Sequence, residues 1–249
     1  MKLENLIKTE CNILQFDTLP STNDTAKELG LRGEKENTVV IARAQTAGRG
    51  RMGRQFFSPD KSGIYMSILL RPTFSPDKSH LLTPAAAVAV AEAIDSVCGT
   101  ECKIKWVNDI YLNNKKVCGI LTENTFSGDG FFSVVGIGIN LFAPEGGFPE
   151  DIKDIAASIL KGGSEEIRNR LIAEVIDRFN FYYKNLLNKD FLRVYREKSN
   201  LIGKEVAYIK NGEEITATVL GIDENAALIV ESCGKTDTLF TGEVSVKIK

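Results

Sequence analysis

Seven residues, Gly48-Arg49-Gly50-Arg51-Met52-Gly53-Arg54, restrict the fold of this chain more than any others. Glycine loses the most backbone freedom on ordering, so three at this density argue against a helix or strand interior. They call for a loop that bends tightly or lies against a ligand. The interleaved arginines give that loop fixed positive charge and forked donors suited to phosphate or carboxylate. It reads as an anion-gripping loop, with a solvated hairpin carrying incidental arginines as the plain alternative. Gly48, Gly50 and Gly53 fit G-x-G-x-x-G, and a strand rich in valine and isoleucine precedes them at 38–44. The next residues, Arg54-Gln55-Phe56-Phe57-Ser58-Pro59, open no helix to receive a pyrophosphate, so a dinucleotide fold is set aside. An RNA-binding arginine–glycine tract would repeat within a polar stretch, whereas this one occurs once in an apolar-rich chain.

Net charge bounds the partners. A value of −2 over 249 residues gives no general attraction to nucleic acid or anionic membrane, so anion binding must come from local clusters. His80 is the single histidine. That removes H-E-x-x-H zinc chemistry and leaves any Ser-His or Cys-His pair dependent on a residue with no nucleophile signature beside it. His80 is expected to be exposed near a helix start. The five cysteines, Cys11, Cys98, Cys102, Cys118 and Cys233, are scattered, odd in number and without a C-x-x-C pair. They read as reduced thiols of a cytoplasmic protein. Met1-Lys2-Leu3-Glu4-Asn5 lacks the apolar core of a signal peptide, and no apolar run reads as long enough to span a bilayer. Without a metal cluster in view, arginine, lysine and carboxylate must carry any chemistry.

In chain order, Ile13-Leu14-Gln15-Phe16 reads as a strand. Pro20-Ser21-Thr22-Asn23-Asp24 then opens a helix; its side chains either cap that helix or face a pocket. Strands are expected at 38–44 and 64–70. Thr83-Pro84 reads as N-cap and first position of an alanine-rich core helix over 85–97. A strand at 103–107 is broken by Asn108-Asp109, and a hairpin runs from 110–112 through Asn113-Asn114 to 116–123. A buried strand spans 131–139. Ser164 caps a long helix with an inner stripe of Ile167, Leu171, Val175, Phe179 and Leu186, and helix continues toward Asn200. From Leu201, five short strands (206–210, 214–222, 227–231, 237–240 and 244–248) predict a small β-barrel. It is too small to build much core alone and should lean on the larger unit.

A second group of reactive side chains lies at Lys105-Trp106-Val107-Asn108-Asp109. It sets a cation, an aromatic, an amide and a carboxylate at one strand end. Lys116 returns on the paired strand, so both segments can face one cleft. Singly, each residue has a bland explanation: core tryptophan, surface lysines, turn aspartate.

Together these segments resemble the biotin protein ligase family. The resemblance rests on the 48–54 loop with Phe57-Ser58-Pro59 after it, on Lys105-Trp106-Val107-Asn108-Asp109, and on Lys116-Val117-Cys118-Gly119-Ile120-Leu121-Thr122-Glu123. Val135-Gly136-Ile137-Gly138-Ile139-Asn140 and Ser21-Thr22-Asn23 complete it, all in order between about 13 and 140. Val107 stands where the family commonly has proline, and Phe56 near a frequent tryptophan.

The resemblance implies an α+β fold: a mixed β-sheet flanked by helices, akin to class II aminoacyl-tRNA synthetases and lipoate ligases. It implies a ligase domain over 1–200 and an SH3-like β-barrel over 201–249. It also implies a two-step reaction, in which biotin and MgATP give biotinyl-5′-AMP and pyrophosphate. The acyl group then passes to a lysine of a biotin carboxyl carrier domain. By the same resemblance Ser21, Thr22, Asn23, Gln45 and the Gly48-Arg49-Gly50 backbone hold biotin's ureido ring, and Gly119, Gly136 and Gly138 leave room for it. Lys116 meets biotin's carboxylate and the phosphate, with Arg49, Arg51 and Arg54 closing over the adenylate; Lys116, Arg51 and Asp109 are the catalytic candidates. Trp106, Asn108 and Asn140 serve the nucleotide, and Asp109 positions the incoming lysine. Only some twenty residues precede Ser21, fewer than the winged helix-turn-helix of bifunctional members needs. The expectation is a monofunctional enzyme without DNA or membrane partners, with homodimerisation left open. A lipoate or octanoate ligase of the same fold is the nearest rival; a non-enzymatic RNA-binding module is the rival of another class.

Overall fold

The computed structural model describes residues 2–128, 130–210, 212–240 and 247–248. The first seven strands are β1 (Asn12–Leu19), β2 (Thr38–Gln45), β3 (Gly63–Leu70), β4 (Lys103–Lys105), β5 (Asp109–Leu112), β6 (Lys115–Ser127) and β7 (Gly130–Asn140). Four α-helices accompany them: α1 (Thr22–Leu31), α2 (Leu82–Cys98), α3 (Glu165–Lys184) and α4 (Phe191–Glu197). The strands form one mixed sheet in the order β1-β2-β3-β7-β6-β5-β4. β1 and β2 run parallel with α1 as their crossover, and the other neighbouring pairs run antiparallel. β3 is buried at every position, as befits a central strand covered on both faces.

Composition explains the close layering. α2 buries Ala85, Ala86, Ala87, Ala89, Ala91 and Ala93, whose small side chains let it approach sheet and α3 together. Two sequence expectations change here. A 3₁₀ turn over Pro76–Leu81 runs straight into α2, so Thr83 is not its cap; instead the Thr83 hydroxyl donates to Thr122 Oγ1 at 2.8 Å. The combined run Pro76–Cys98 has the length and hydropathy of a membrane span, contrary to the reading that no such run exists. It is mostly buried inside the protein, which makes it a core helix.

The expected strand over 103–107 ends at Lys105. Trp106 and Val107 form the turn into β5, joined by a cis peptide. Asn113 and Asn114 both take positive φ, of 50° and 63°, giving the tight β5–β6 hairpin that asparagine favours.

A second sheet comprises β8 (Glu205–Lys210), β9 (Glu213–Ile222), β10 (Leu228–Ser232), β11 (Lys235–Leu239) and β12 (Lys247–Ile248). It is antiparallel in the order β11-β10-β9-β8-β12. Of the last expected strand, residues 244–246 lie outside the described residues, as does Asn211. Val206, Val219, Leu228 and Val230 join the same hydrophobic core as the first sheet. Polar contacts reinforce the join: the Trp106 indole N–H donates to the Ala226 carbonyl at 2.9 Å, and Arg196 donates to Ile222 and Asp223 carbonyls at 2.8 Å each. Tyr195 closes the same region from α4, donating to the Val107 carbonyl at 2.9 Å.

Trp106 is only 5% exposed, so its hydrogen bond is made away from water. Trp106→Phe strands the Ala226 carbonyl and should lower unfolding free energy by about 1–3 kcal/mol. Urea denaturation measures this; an unchanged midpoint would show that the indole N–H contributes nothing to the join.

Candidate active site

A cleft opens where the N-terminus of α1, the arginine loop, β6 and β7 meet. The sequence segments that carry it are far apart, and the sheet order brings them together. Ser21, Thr22 and Asn23 line it from α1; Gln45 from the end of β2; Arg49, Gly50 and Arg51 from the loop; Asn108 from the turn before β5. Lys116 and Gly119 contribute from β6, and Gly136 and Gly138 from β7. β6 and β7 pair with Gly119 opposite Gly138, which sets the bare positions side by side.

The cleft has a polar side built as a connected chain. Ser21 caps α1, its hydroxyl accepting from Asp24 N at 3.4 Å, so capping and pocket lining coincide in one residue. Gln45 Oε1 accepts from Thr22 N at 2.8 Å, and Gln45 Nε2 donates to Ser58 Oγ at 2.9 Å. Ser67, fully buried on β3, lies 2.8 Å from Thr22 Oγ1 and donates to Asn23 Oδ1 at 2.6 Å. Asn23 Nδ2 donates to Glu123 Oε2 at 2.8 Å and reaches the Leu121 carbonyl at 3.3 Å.

The other side is cationic. Lys116 Nζ sits 2.7 Å from Asp109 Oδ1. Its side chain runs over Gly119, where an added Cβ would meet Lys116 Cε and Nζ at 3.2 Å. The Arg51 guanidinium donates to Asn108 Oδ1 at 3.2 Å, and Asn108 Nδ2 is anchored on the Ile120 carbonyl at 2.8 Å. Burial lowers the Arg51 pKa, with Asp109 opposing the shift. Burial also lowers that of Lys105, again against Asp109, while Lys116 and Arg54 add to the lowering. Partly desolvated cations short of counter-charge gain from an incoming anion. Among the described residues no group of three or more His, Cys, Asp or Glu could hold a metal ion.

The arginine loop is a narrow hairpin. Arg49 bridges Gln55, Gly50 N donates to the Arg54 carbonyl at 2.7 Å, and Met52 and Gly53 at its tip take positive φ. Arg49 straps it down, donating to Asp24 Oδ1 at 2.5 Å and to Glu123 Oε1 at 2.7 Å.

Five sequence-predicted residues lie off the cleft wall. Gly48 is inside the loop, where a Cβ would come within 2.4 Å of the Phe56 carbonyl. Arg54 is exposed beside it. Asp109 stands behind Lys116 as its counter-ion. Asn140 ends β7, its carbonyl accepting from Ile159 N at 3.0 Å. Trp106 faces the second sheet rather than the cleft, because its N–H finds its partner there. His80 is half-buried rather than exposed, with Nδ1 2.6 Å from the Asp77 carbonyl.

Other residues of the site escaped the sequence reading. Phe56 forms an apolar wall, its ring so close to β7 that a Cβ on Gly138 would meet it at 2.6 Å. Its one sequence signal was its place in an aromatic pair. Ser67 was visible only as a lone hydroxyl inside an apolar strand, and Glu123 as the end of a motif.

The sequence pattern of the Biotin/lipoate A/B protein ligase family matches residues 15–140. The bifunctional ligase/repressor BirA of Bacillus subtilis is 35% identical over 248 residues, covering 96% of this chain and 76% of that protein. The biotin--[acetyl-CoA-carboxylase] ligase of Mycobacterium tuberculosis is 29% identical, covering 92% of this chain and 88% of its own. The solved structure of the Aquifex aeolicus biotin protein ligase in complex with biotin and ATP superposes with a TM-score of 0.79 at 28% identity, covering 96% of this chain and 99% of that one. With fold, cleft and sequence pattern in agreement, the chain belongs to the biotin/lipoate A/B protein ligase family.

Proposed function

We propose that this protein joins biotin to a carrier protein in two ATP-driven steps, and that the cleft between α1, the arginine loop, β6 and β7 holds both small substrates. In the first step a biotin carboxylate oxygen attacks the α-phosphorus of MgATP; pyrophosphate leaves and biotinyl-5′-AMP forms. In the second, a carrier lysine amine attacks the acyl carbon and AMP leaves. Mg²⁺ arrives as part of the nucleotide substrate.

The observation that carries this reading is the meeting of Lys116 and Arg51 with the polar Ser21–Thr22–Asn23–Gln45 group in one cleft. Joining two anions requires fixed positive charge where they meet, and preorganised charge stabilises the transition state without reorganising during the reaction. Lys116 and Arg51 supply it. Arg49 and Arg54 close over the adenylate, limiting hydrolysis of the mixed anhydride. The polar group faces biotin's ureido ring, and Phe56 with Gly119, Gly136 and Gly138 shapes the apolar part of the site. Asn108 and Asn140 serve the nucleotide end. Trp106, turned toward Ala226, supports the Asn108 turn from behind.

Asp109 has two roles in this scheme. Before acyl transfer it neutralises Lys116; when Lys116 engages the phosphate, Asp109 is released to orient the incoming amine and receive its proton. The acceptor is the carrier domain of a biotin-dependent carboxylase in the cytoplasm. The division between ligase unit and C-terminal unit falls near residue 200, between α4 and β8.

Pyrophosphate exchange with biotin or lipoate as the acid distinguishes this reading from a lipoate ligase. A linear acyl chain would leave the polar group without ligand partners, so exchange should depend on biotin. Lys116→Ala should reduce streptavidin-detected labelling of a carrier domain by ~10²-fold or more. Labelling at the wild-type rate would remove Lys116 from the chemistry. Asp109→Asn should slow transfer from preformed biotinyl-5′-AMP more than it slows adenylate formation. Equal loss in both half-reactions would limit Asp109 to holding Lys116.

A further inference from the structure

Glu123 touches both the polar chain and the arginine loop. Its Oε2 accepts from Asn23 Nδ2 at 2.8 Å, while its Oε1 accepts from Arg49 Nη2 at 2.7 Å. We propose that Glu123 is a positioning residue that fixes the direction of the buried hydrogen-bond chain and straps the arginine loop over the cleft. This rests on the biotin reading of the cleft and adds a determinant of biotin affinity that itself lies off the cleft wall.

The direction is set by what each group can donate or accept. An ionised carboxylate only accepts, so the Asn23 NH₂ must face Glu123. That turns Asn23 Oδ1 toward Ser67, and the single Ser67 proton is committed to it at 2.6 Å. Ser67 Oγ also lies 2.8 Å from Thr22 Oγ1, whose own hydroxyl donates to Gln45 Oε1 at 3.1 Å. At the far end, Thr22 N–H holds Gln45 Oε1, so Gln45 Nε2 faces Ser58, which donates to the Phe56 carbonyl at 2.9 Å. With the amide directions of Asn23 and Gln45 set, the cleft keeps one pattern of donors and acceptors for a ureido group. Buried Asn23, Thr22 and Ser67 make a reversed pattern costly, because a mispaired polar atom there finds no water.

The strap is weaker than the chain. Arg49 and Asp24 are more than a third exposed, so their attraction is screened by solvent and salt. The Glu123 side chain is 24% exposed and supplies the less screened half of the grip. Glutamine in its place keeps the shape but cannot serve both partners. With its oxygen on Asn23 its NH₂ confronts Arg49; turned round, its NH₂ confronts that of Asn23.

The test uses the full chain with wild type, Glu123→Gln and Asp24→Ala, the last aimed at the strap rather than the chain. Two readouts are measured. One is KM for biotin and for ATP in pyrophosphate exchange; the other is tryptic cleavage after Arg49, Arg51 and Arg54 without ligand, mapped by mass spectrometry. Glu123→Gln should raise the biotin KM by ~10- to 100-fold with a much smaller change for ATP. Both variants should be cut about 2- to 5-fold faster than wild type at low salt, a difference that fades in high salt. Asp24→Ala should leave the biotin KM near that of wild type. A Glu123→Gln enzyme with the wild-type biotin KM overturns the proposal while leaving the ligase reading intact. Equal rises in both KM values reduce Glu123 to a general structural residue. If wild type shows no biotin-dependent exchange, the ligase reading fails, and unchanged cleavage of Glu123→Gln then removes the strap as well.

Discussion

Partial desolvation of clustered cations governs the electrostatics of this site. Arg49, Arg51 and Lys116 line one cleft; burial lowers the pKa of Arg51 and of nearby Lys105, and neighbouring cations, Arg54 among them, add to the lowering. Three carboxylates make the arrangement tolerable in the absence of ligand. Asp109 neutralises Lys116 from behind, while Asp24 and Glu123 hold Arg49 at the rim. Arg51 instead rests its guanidinium on the neutral Asn108 oxygen. The site therefore carries a standing demand for negative charge at the point where the scheme places the phosphate.

The sheet order determines where that demand falls. β6 and β7 are interior strands of the first sheet, so Lys116, Gly119, Gly136 and Gly138 sit on strands paired along both edges. The polar chain begins on β3 and the tip of α1, on the other side of β7. One wall thus presents hydrogen-bonding groups of fixed direction and the other presents charge. Such a division suits a ligand with a neutral polar ring at one end and a carboxylate at the other.

The parts legible in the sequence were those in which one short segment carries its chemistry in residue type. The arginine–glycine loop, the Lys105–Asp109 segment, Lys116 with its glycine three positions on, and the paired glycines of β7 all announced themselves in this way. Their convergence needed only a hairpin and a mixed sheet. The hidden parts depend on distant packing. Ser67 reads as an ordinary strand residue until α1 is laid beside β3. The direction of Trp106 is decided by a carbonyl 120 residues away in a turn of the second sheet. The start of α2 was misplaced because Thr83-Pro84 is a good local cap signal, overridden by a 3₁₀ turn that flows into the helix.

The turn that carries Asn108 is held from two sides: Asn108 pairs with Ile120 of β6 through both its carbonyl and its side-chain amide, and the residues before it are held from outside the sheet. Its tryptophan hangs from the loop before β10, and its valine carbonyl is held by the Tyr195 hydroxyl on α4. Loosening the C-terminal strands would therefore remove one support of this turn, the Trp106–Ala226 bond, and leave the Asn108–Ile120 bonds to carry it. Although none of its described residues lines the cleft, the C-terminal sheet thus bears on the cleft's geometry through the loop before β10.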